Sequence, residues 1–311
     1  MPIAANEWSV YDERDFQEQM QELWGNWGCS SEIGRLRAVL LHRPGPEIEN
    51  MKDPASVLFI EVMDPIKARE QHDAMAEFYR SHGIETHYIE DVPLDKPNCM
   101  FARDLVAMTP EGAIVARPGT SIRRGEARLA AAAMAKLGVP ILRTIAGNGT
   151  FEGADMLMAN RDLAFVGLSR RTNKAGNLQV RAELERMGVG EIVDVQVPWS
   201  EAHLDGMMGV LDRKLAIVYS TQVPYPVVEA FRRHGFRILE VTSEEEVRQG
   251  MAINFVALEP GKIVMPKGNN AATVKMMQAA GVEVHQLDLS ELMKGAGSIH
   301  CMTAFLRRDE L

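Results

Sequence analysis

The chain has 311 residues, 25% of them charged, and a formal net charge of −9. That length suits one large domain or two small ones, and the acidic balance argues against a nucleic-acid binder that relies on a broad basic surface. No run approaches the roughly 18 apolar residues of a membrane span, so no membrane contact is expected, and the opening MPIAANEWSVYDERDF has neither the basic nor the apolar region of a signal peptide. Cys29, Cys99 and Cys301 are too few and too widely spaced for a disulfide framework, which makes the cytoplasm the expected compartment.

In chain order, residues 1–33 carry Trp8, Trp24 and Trp27 and an acidic stretch, 12–23, that reads as a helix. They are expected to form a segment packed on the domain surface, with a lid or a homo-oligomer contact as the alternative. Residues 36–41 read as a strand, 66–82 as a helix and 85–89 as a strand. Four hairpins follow, each behind an acid or an amide: Asp104 before LVAMTPEGAIVAR, Asp155 before MLMANRDLAFVG, Asp205 before GMMGVLDRKLAIVY and Asn254 before FVALEPGKIVMP. Each hairpin leads to a helix and a further strand: 125–137 and 139–144, then 178–187 and 191–197, then 226–234 and 237–241, then 270–280 and 282–287. Gly138, Gly188, Gly235 and Gly281 sit where helix C-caps need glycine. The last strand is expected at 302–306.

Asp104, Asp155, Asp205, Asn254 and Cys301 recur at intervals of 51, 50, 49 and 47 residues. A period near 50 points to repeat architecture. Four modules of strand, strand, helix, strand are intact, and a fifth assembles from the two chain ends if 302–306 pairs with 36–41. Joining the ends in one module closes a ring and protects its edge strands. Residues 34–311 are therefore read as one α/β domain of five ββαβ modules with pseudo-fivefold symmetry, the five polar residues converging near its axis.

Cys301 shares the phase of the other polar module starts, and Gly295 and Gly297 before it allow close backbone approach to a ligand. His300, its neighbour on an expected strand, would point to the opposite face and is a poor base. His203 lies two residues before Asp205, on the same face of an extended backbone, and can shuttle protons at neutral pH. Glu152 sits in FEGAD, three residues before Asp155, and Asp104 follows Arg103 in FARD. Several carboxylates in one pocket repel unless a cation joins them. A guanidinium fits better than a hard metal, because it is planar, always charged and matches carboxylates with forked donors. Held by Asp104 and Asp205, its central carbon would face a Cys301 thiolate. No CxxC or HExxH zinc motif, no GxGxxG after a strand and no P-loop occurs, so neither a metal nor an organic cofactor is expected.

FARD, FEGAD, HLD and GSIHCMT, in that order, resemble the motifs of the guanidino-group-modifying superfamily, whose fold is the pentein, a five-bladed α/β propeller. SEIGRLRAVLLHRPGPE and AREQHDAMAEFYRSHGIE resemble the opening of arginine deiminases, and PNCMFARD and GLSRRTN resemble two further stretches of that family. The likeness spans about residues 30–308. It implies Cys301 as nucleophile, forming a covalent amidino-thioether, and His203 as the acid that protonates the leaving amine and then activates water. It implies Asp104 and Asp205 as the grip on the guanidinium, Glu152 as an orienting partner of His203 or substrate, and Asp155 as a further contact. Asn98, Phe101 and Arg171 match positions that hold the amino-acid end of arginine, and Arg123 is an additional carboxylate contact with Arg124 equally reachable.

The implied activity is hydrolysis of arginine or an arginine derivative to a ureido product and ammonia. The alternatives are an amidinotransferase, a dimethylarginine hydrolase, an arginine dihydrolase and a silent pentein used as a binding module. Asp104 stands where a dihydrolase is expected to carry asparagine, and the complete residue set argues against a silent module. Three departures from arginine deiminases stand out. The helical insertion is missing, Ala102 replaces threonine, and Gly295–Ser298 lacks an arginine, with only Lys294 nearby. Arginine to citrulline is the first expectation, a methylated arginine the nearest variant, and a modified or different guanidino compound the alternative these departures open.

Overall fold

The computed structural model describes residues 13–49 and 51–311. Trp8 and Asp12 lie outside the described residues. The first helix, α1 (Phe16–Leu23), starts at Asp15, which forms a capping box with Glu18. The elements that follow are β1 (Leu36–Leu41), α2 (Pro65–Ser81) and β2 (Glu85–Tyr88), then β3 (Val106–Thr109), β4 (Gly112–Val115), α3 (Glu126–Leu137) and β5 (Ile141–Thr144). Next come β6 (Met156–Asn160), β7 (Leu163–Leu168), α4 (Lys174–Arg186) and β8 (Glu191–Gln196). They are followed by β9 (Met208–Asp212), β10 (Leu215–Tyr219), α5 (Tyr225–Arg233), β11 (Arg237–Val241) and a short α6 (Glu244–Arg248). The chain ends with β12 (Val256–Glu259), β13 (Lys262–Pro266), α7 (Ala271–Ala279), β14 (Glu283–Leu287), α8 (Ile299–Met302) and β15 (Ala304–Arg308).

The strands form five three-stranded sheets: β3-β4-β5, β6-β7-β8, β9-β10-β11, β12-β13-β14 and β15-β1-β2. In each, a hairpin pair runs antiparallel and the third strand joins parallel after a helical crossover, which is the ββαβ module of a pentein. The fifth sheet takes β15 from one end of the chain and β1 from the other, antiparallel, as the repeat requires. Contacts pass from β15 to β3, from β3 to the turn before β6, from β6 to the turn before β9, from β9 to β12 and from β12 back to β1. The apolar pattern sets the radial order. β3 and β4 are buried along their whole length, whereas β5, β11 and β14 are half-exposed at the outer rim.

All five modules share one cap. The amide of the residue after the glycine bonds back to the helix at Tyr79, Met134, Leu184, Phe231 and Met277. The glycines Gly83, Gly138, Gly188, Gly235 and Gly281 have φ between 73° and 95°, a left-handed conformation that costs other residues about 1–2 kcal/mol. Gly83 completes the set of four read from the sequence. The cap also moves the strand starts: Val139 and Val282 are spent closing the turn, so β5 and β14 begin later than the apolar runs suggest. The expected strand at 302–306 splits into the helical turn α8 and β15.

Residues 28–33 thread the ring rather than resting on it. Gly28 bonds to Leu306, Cys29 to Thr109 and Glu32 to Met158, which carries the Glu32 side chain into the buried centre. At the same centre Gly153 lies where a Cβ would stand 2.3 Å from the Val106 carbonyl and 2.4 Å from that of Arg103. Gly153→Ala should lower stability by about 1–3 kcal/mol through overpacking, measured by urea unfolding. A midpoint equal to that of the wild type would show that the first two modules do not meet here.

Candidate active site

A cleft of about 510 Å³ opens at the centre, and Asn98, Phe101, Asp104, Glu152, His203 and Cys301 all line it. Short turns at the starts of the hairpins deliver these groups: 102–105, 153–155 and 204–206 before β3, β6 and β9. Glycine makes room for the sulfur. A Cβ on Gly297 would lie 2.5 Å from the Phe101 ring and 3.2 Å from the Cys301 Cβ.

His203 Nε2 donates to Glu152 Oε2 at 2.7 Å, and its Nδ1 stands 3.8 Å from Asp104 Oδ1. Burial opposes a charged imidazole, but Asp104 and the Glu152 hydrogen bond outweigh it and hold His203 up at about 10. Burial works against the Glu152 carboxylate too, yet the imidazolium and Arg123 bring it down to about 2. Burial pushes the Asp104 carboxyl above its ordinary range, with His203 and Arg123 opposing the rise. Asp104 Oδ2 accepts from Arg123 Nη1, whereas Oδ1 is buried and meets no hydrogen-bond donor among the described residues. A buried acceptor left open in this way is suited to a ligand donor.

Asp205 Oδ2 accepts from His300 Nδ1 at 2.8 Å and lies 3.6 Å from Cys301 Sγ. His300 Nε2 reaches Glu32 Oε2 at 3.3 Å, and Arg103 Nη2 donates to Glu32 Oε1 at 2.8 Å. Burial disfavours the Asp205 charge, but His300 keeps the carboxyl below its usual range. The expectation that His300 points away from the site fails because 299–302 is a helical turn, so imidazole and sulfur both reach the same Asp205 oxygen. Both ring nitrogens of His300 face acids, which leaves it no free lone pair to act as a base.

Burial raises the Cys301 thiol well above its ordinary value, and Asp205 and Asp104 add to the rise. The Asn254 amide counters this by donating from Nδ2 to Sγ at 3.0 Å. The backbone N–H of His300 fixes its orientation by bonding Asn254 Oδ1 at 2.9 Å. Asn254 was visible as the fourth member of the repeat, yet an amide among acids drew no role. Asp155 faces away from the sulfur, bound by Ser169 Oγ at 2.7 Å and the Leu204 N–H at 3.3 Å, and burial lifts its carboxyl to about 6. It braces the third module's turn.

The outer groups sort differently from expectation. Asn98 lines the cleft while its amide donates to Val57 O at 2.9 Å. Arg171 lines it with Nη1 3.4 Å from Glu152 Oε1, and Arg170 joins it there. Arg123 is not placed to receive a substrate carboxylate. Its Nε bonds Glu126 at 2.8 Å, Nη1 bonds Asp104, and Nη2 bonds the carbonyls of Asn98 and Phe101 at 3.0 and 3.2 Å. Every arm is engaged, so it steers Asp104 instead. Arg124 lines a separate cleft. Ala55, Leu58 and Phe59, from a segment with no motif, form an apolar wall that sequence reasoning missed. Ligand atoms of Asp104, Glu152 and His203 lie within 4.8 Å of one another, close enough to share a cation. Arg123, on Asp104 and 3.8 Å from Glu152, already supplies positive charge there, and a metal would have to compete with it.

The profile of the family described as "N,N dimethylarginine dimethylhydrolase, eukaryotic" matches residues 62–308. A dimethylarginine dimethylaminohydrolase of Streptomyces coelicolor is 28% identical over 87% of this chain and 97% of its own. An arginine deiminase of Borrelia duttonii is 23% identical over 90% of this chain and 98% of its own. The solved amidinotransferase SxtG of Microseira wollei superposes with a TM-score of 0.73 at 15% identity, over 92% of this chain and 98% of its own, a likeness of fold alone.

Two predictions follow from the charges. The raised His203 contributes stability that is fully present below its ordinary 6.5 and is lost as pH climbs to about 10. Across that window the melting temperature of the wild type should fall more steeply than that of His203→Asn, and equal slopes would place the imidazolium's stabilisation elsewhere. Alkylation of Cys301 by iodoacetamide should be slow at pH 7 and accelerate beyond pH 9. Asn254→Ala should move that rise upward by about one pH unit, the worth of one hydrogen bond to a charged group. An unchanged profile would remove Asn254 from thiol control.

Proposed function

The chain belongs to the N,N dimethylarginine dimethylhydrolase family, within the pentein superfamily of guanidino-modifying enzymes, and from that membership we propose that it is a cysteine-dependent hydrolase of arginine or an N-methylated arginine. The observation that supports this reading is the meeting of Cys301 Sγ, the open Asp104 Oδ1 and the His203 imidazolium on one cleft, with the Asp205 carboxylate behind the sulfur at 3.6 Å.

The substrate guanidinium lies between Asp104 and Asp205. Its N–H groups donate to Asp104 Oδ1 on one side and to Asp205 on the other, so its carbon faces the sulfur. The incoming cation cancels the acids that hold the thiol neutral, and the thiol gives up its proton to solvent water. The thiolate bonds to the guanidinium carbon. The tetrahedral adduct collapses as one nitrogen takes a proton from His203 and leaves as ammonia or an alkylamine, and an amidino-thioether remains on Cys301. Neutral His203, held by Glu152, then takes a proton from water as the oxygen bonds to the same carbon. The C–S bond breaks, thiolate departs and the ureido product forms. Water in the second step makes the reaction a hydrolysis, whereas an amine in its place would make it an amidino transfer.

A screen of arginine, N-methylated arginines and other guanidino compounds, followed by mass spectrometry, should detect a ureido product with ammonia or an alkylamine. Amidino transfer to an added amine, with no ureido product, would sink the hydrolase reading. Cys301→Ser should cut turnover on the order of 1,000-fold or more and leave no adduct, while His203→Ala should lose turnover and form the adduct far more slowly. Full activity in either variant removes that residue from its role.

A further inference from the structure

A second cleft, about 500 Å³ and as roomy as the first, lies on the outer side of the 117–125 loop. Arg117, Arg124 and Arg128 line it, together with the hydroxyl residues Thr120, Ser121 and Thr150, and no aspartate or glutamate does. In a chain of net charge −9 that is an unusual wall. Most other arginines are ion-paired, among them Arg37, Arg43, Arg69, Arg143, Arg161 and Arg186. Among the described residues none of the three in this cleft is. Arg117 spends one arm on the Gly149 carbonyl at 2.6 Å, and among the described residues Arg124 and Arg128 find no side-chain hydrogen-bond acceptor. Thr120 Oγ1 is buried with no partner. Three uncompensated guanidiniums facing one space repel each other until an anion enters, and their forked donors match phosphate and carboxylate oxygens.

The frame beneath is rigid. Arg117 and Phe151 exchange both backbone hydrogen bonds at 3.0 Å, so Arg117 is anchored beside the turn that carries Glu152. The backbone N–H groups of Ala127 and Arg128, at the start of α3, have no acceptor among the described residues, and Gly125 before them provides no side-chain cap. These amides border the same cleft and add neutral donors to the charged ones.

We propose that this cleft is a binding site for a small multivalent anion, a metabolite carrying phosphate groups or several carboxylates. The site lies apart from Cys301, and the two clefts share only Thr120. The ligand would bridge Arg124 and Arg128 on α3 to Arg117 on the neighbouring segment. It would thereby fix the loop whose inner side carries Arg123, the group that orients Asp104.

Titration calorimetry with inorganic pyrophosphate and with citrate, at ionic strength matched by sodium chloride, tests this. The wild type should bind one of them saturably at one site per chain, and the responding probe tells phosphate from carboxylate chemistry. The double variant Arg124→Ala/Arg128→Ala should bind at least tenfold more weakly. The double variant Arg213→Ala/Arg232→Ala, which removes two unpaired surface charges elsewhere, should bind like the wild type. Circular dichroism melts check that both variants fold. Absence of saturable binding to either probe overturns the site. So does an equal loss in both double variants, which would reduce the effect to net charge.

Discussion

Burying a carboxylate costs several kcal/mol unless a cation or a set of donors meets it, and this ring buries Glu32, Asp104, Glu126, Glu152, Asp155 and Asp205 around one centre. The compensation crosses the modules. Arg103, before β3, reaches Glu32, ahead of β1, while His300, before β15, reaches Asp205, before β9. His203, before β9, reaches Glu152, before β6. No sheet holds both partners of any of these three pairs, so the pairing ties four of the five modules together. The network nearly closes on itself, and the open oxygen of Asp104 is where a positive ligand would complete it.

That constraint also governs the sulfur. A ring of acids is a poor place for a thiolate, and burial, Asp205 and Asp104 all act to keep Cys301 protonated. Two features work the other way, the Asn254 amide and the backbone hydrogen bond of Ser298 to the sulfur. Neither matches the effect of a full charge at contact distance. On the proposed reading the balance couples ionisation to occupancy: a thiolate would form where a cation sits, and the thiol would persist elsewhere. His203 obeys the same logic with the opposite sign, because the acids that suppress the thiolate keep the imidazole protonated.

Much of the fold was legible because the module repeats. The period from Asp104 to Cys301 set the number of blades, the four cap glycines marked the helix ends, and the 36–41 strand found its partner at the far end of the chain. The errors are local. The cap turn consumes Val139, and α8 replaces the start of the last expected strand, because a hydrogen-bonded turn outranks an apolar run in setting where a strand begins. The candidate residues found where charge and period coincided come together in the structure: Asp104, Glu152, His203 and Cys301 line one cleft and Asp205 lies 3.6 Å from the sulfur. The site was illegible where a role depends on which way a side chain turns. The orientation of His300 was misjudged by strand alternation, Arg103 drew no role and is buried against Glu32, and Leu58 and Phe59 carry no chemistry that sequence could flag.

Arg123 and Arg124 show what decides such cases. Their chemistry is identical and their positions differ by one, so no argument from residue type separates them. The turn does. Arg124 N–H bonds the Ser121 carbonyl and Glu126 N–H bonds the Arg123 carbonyl, and Gly125 turns left-handed at φ 86° to start α3. That path sends Arg123 inward, 3% exposed and fully engaged, and leaves Arg124 on the outer face. One loop thus divides two environments, a cleft where Asp104 and Glu152 face Arg123, Arg170, Arg171 and His203, and a cleft where three arginines face no carboxylate. A net charge of −9 averages over both and describes neither. The partition depends on a glycine at that turn, since a side chain at Gly125 would strain the backbone that holds the two arginines apart.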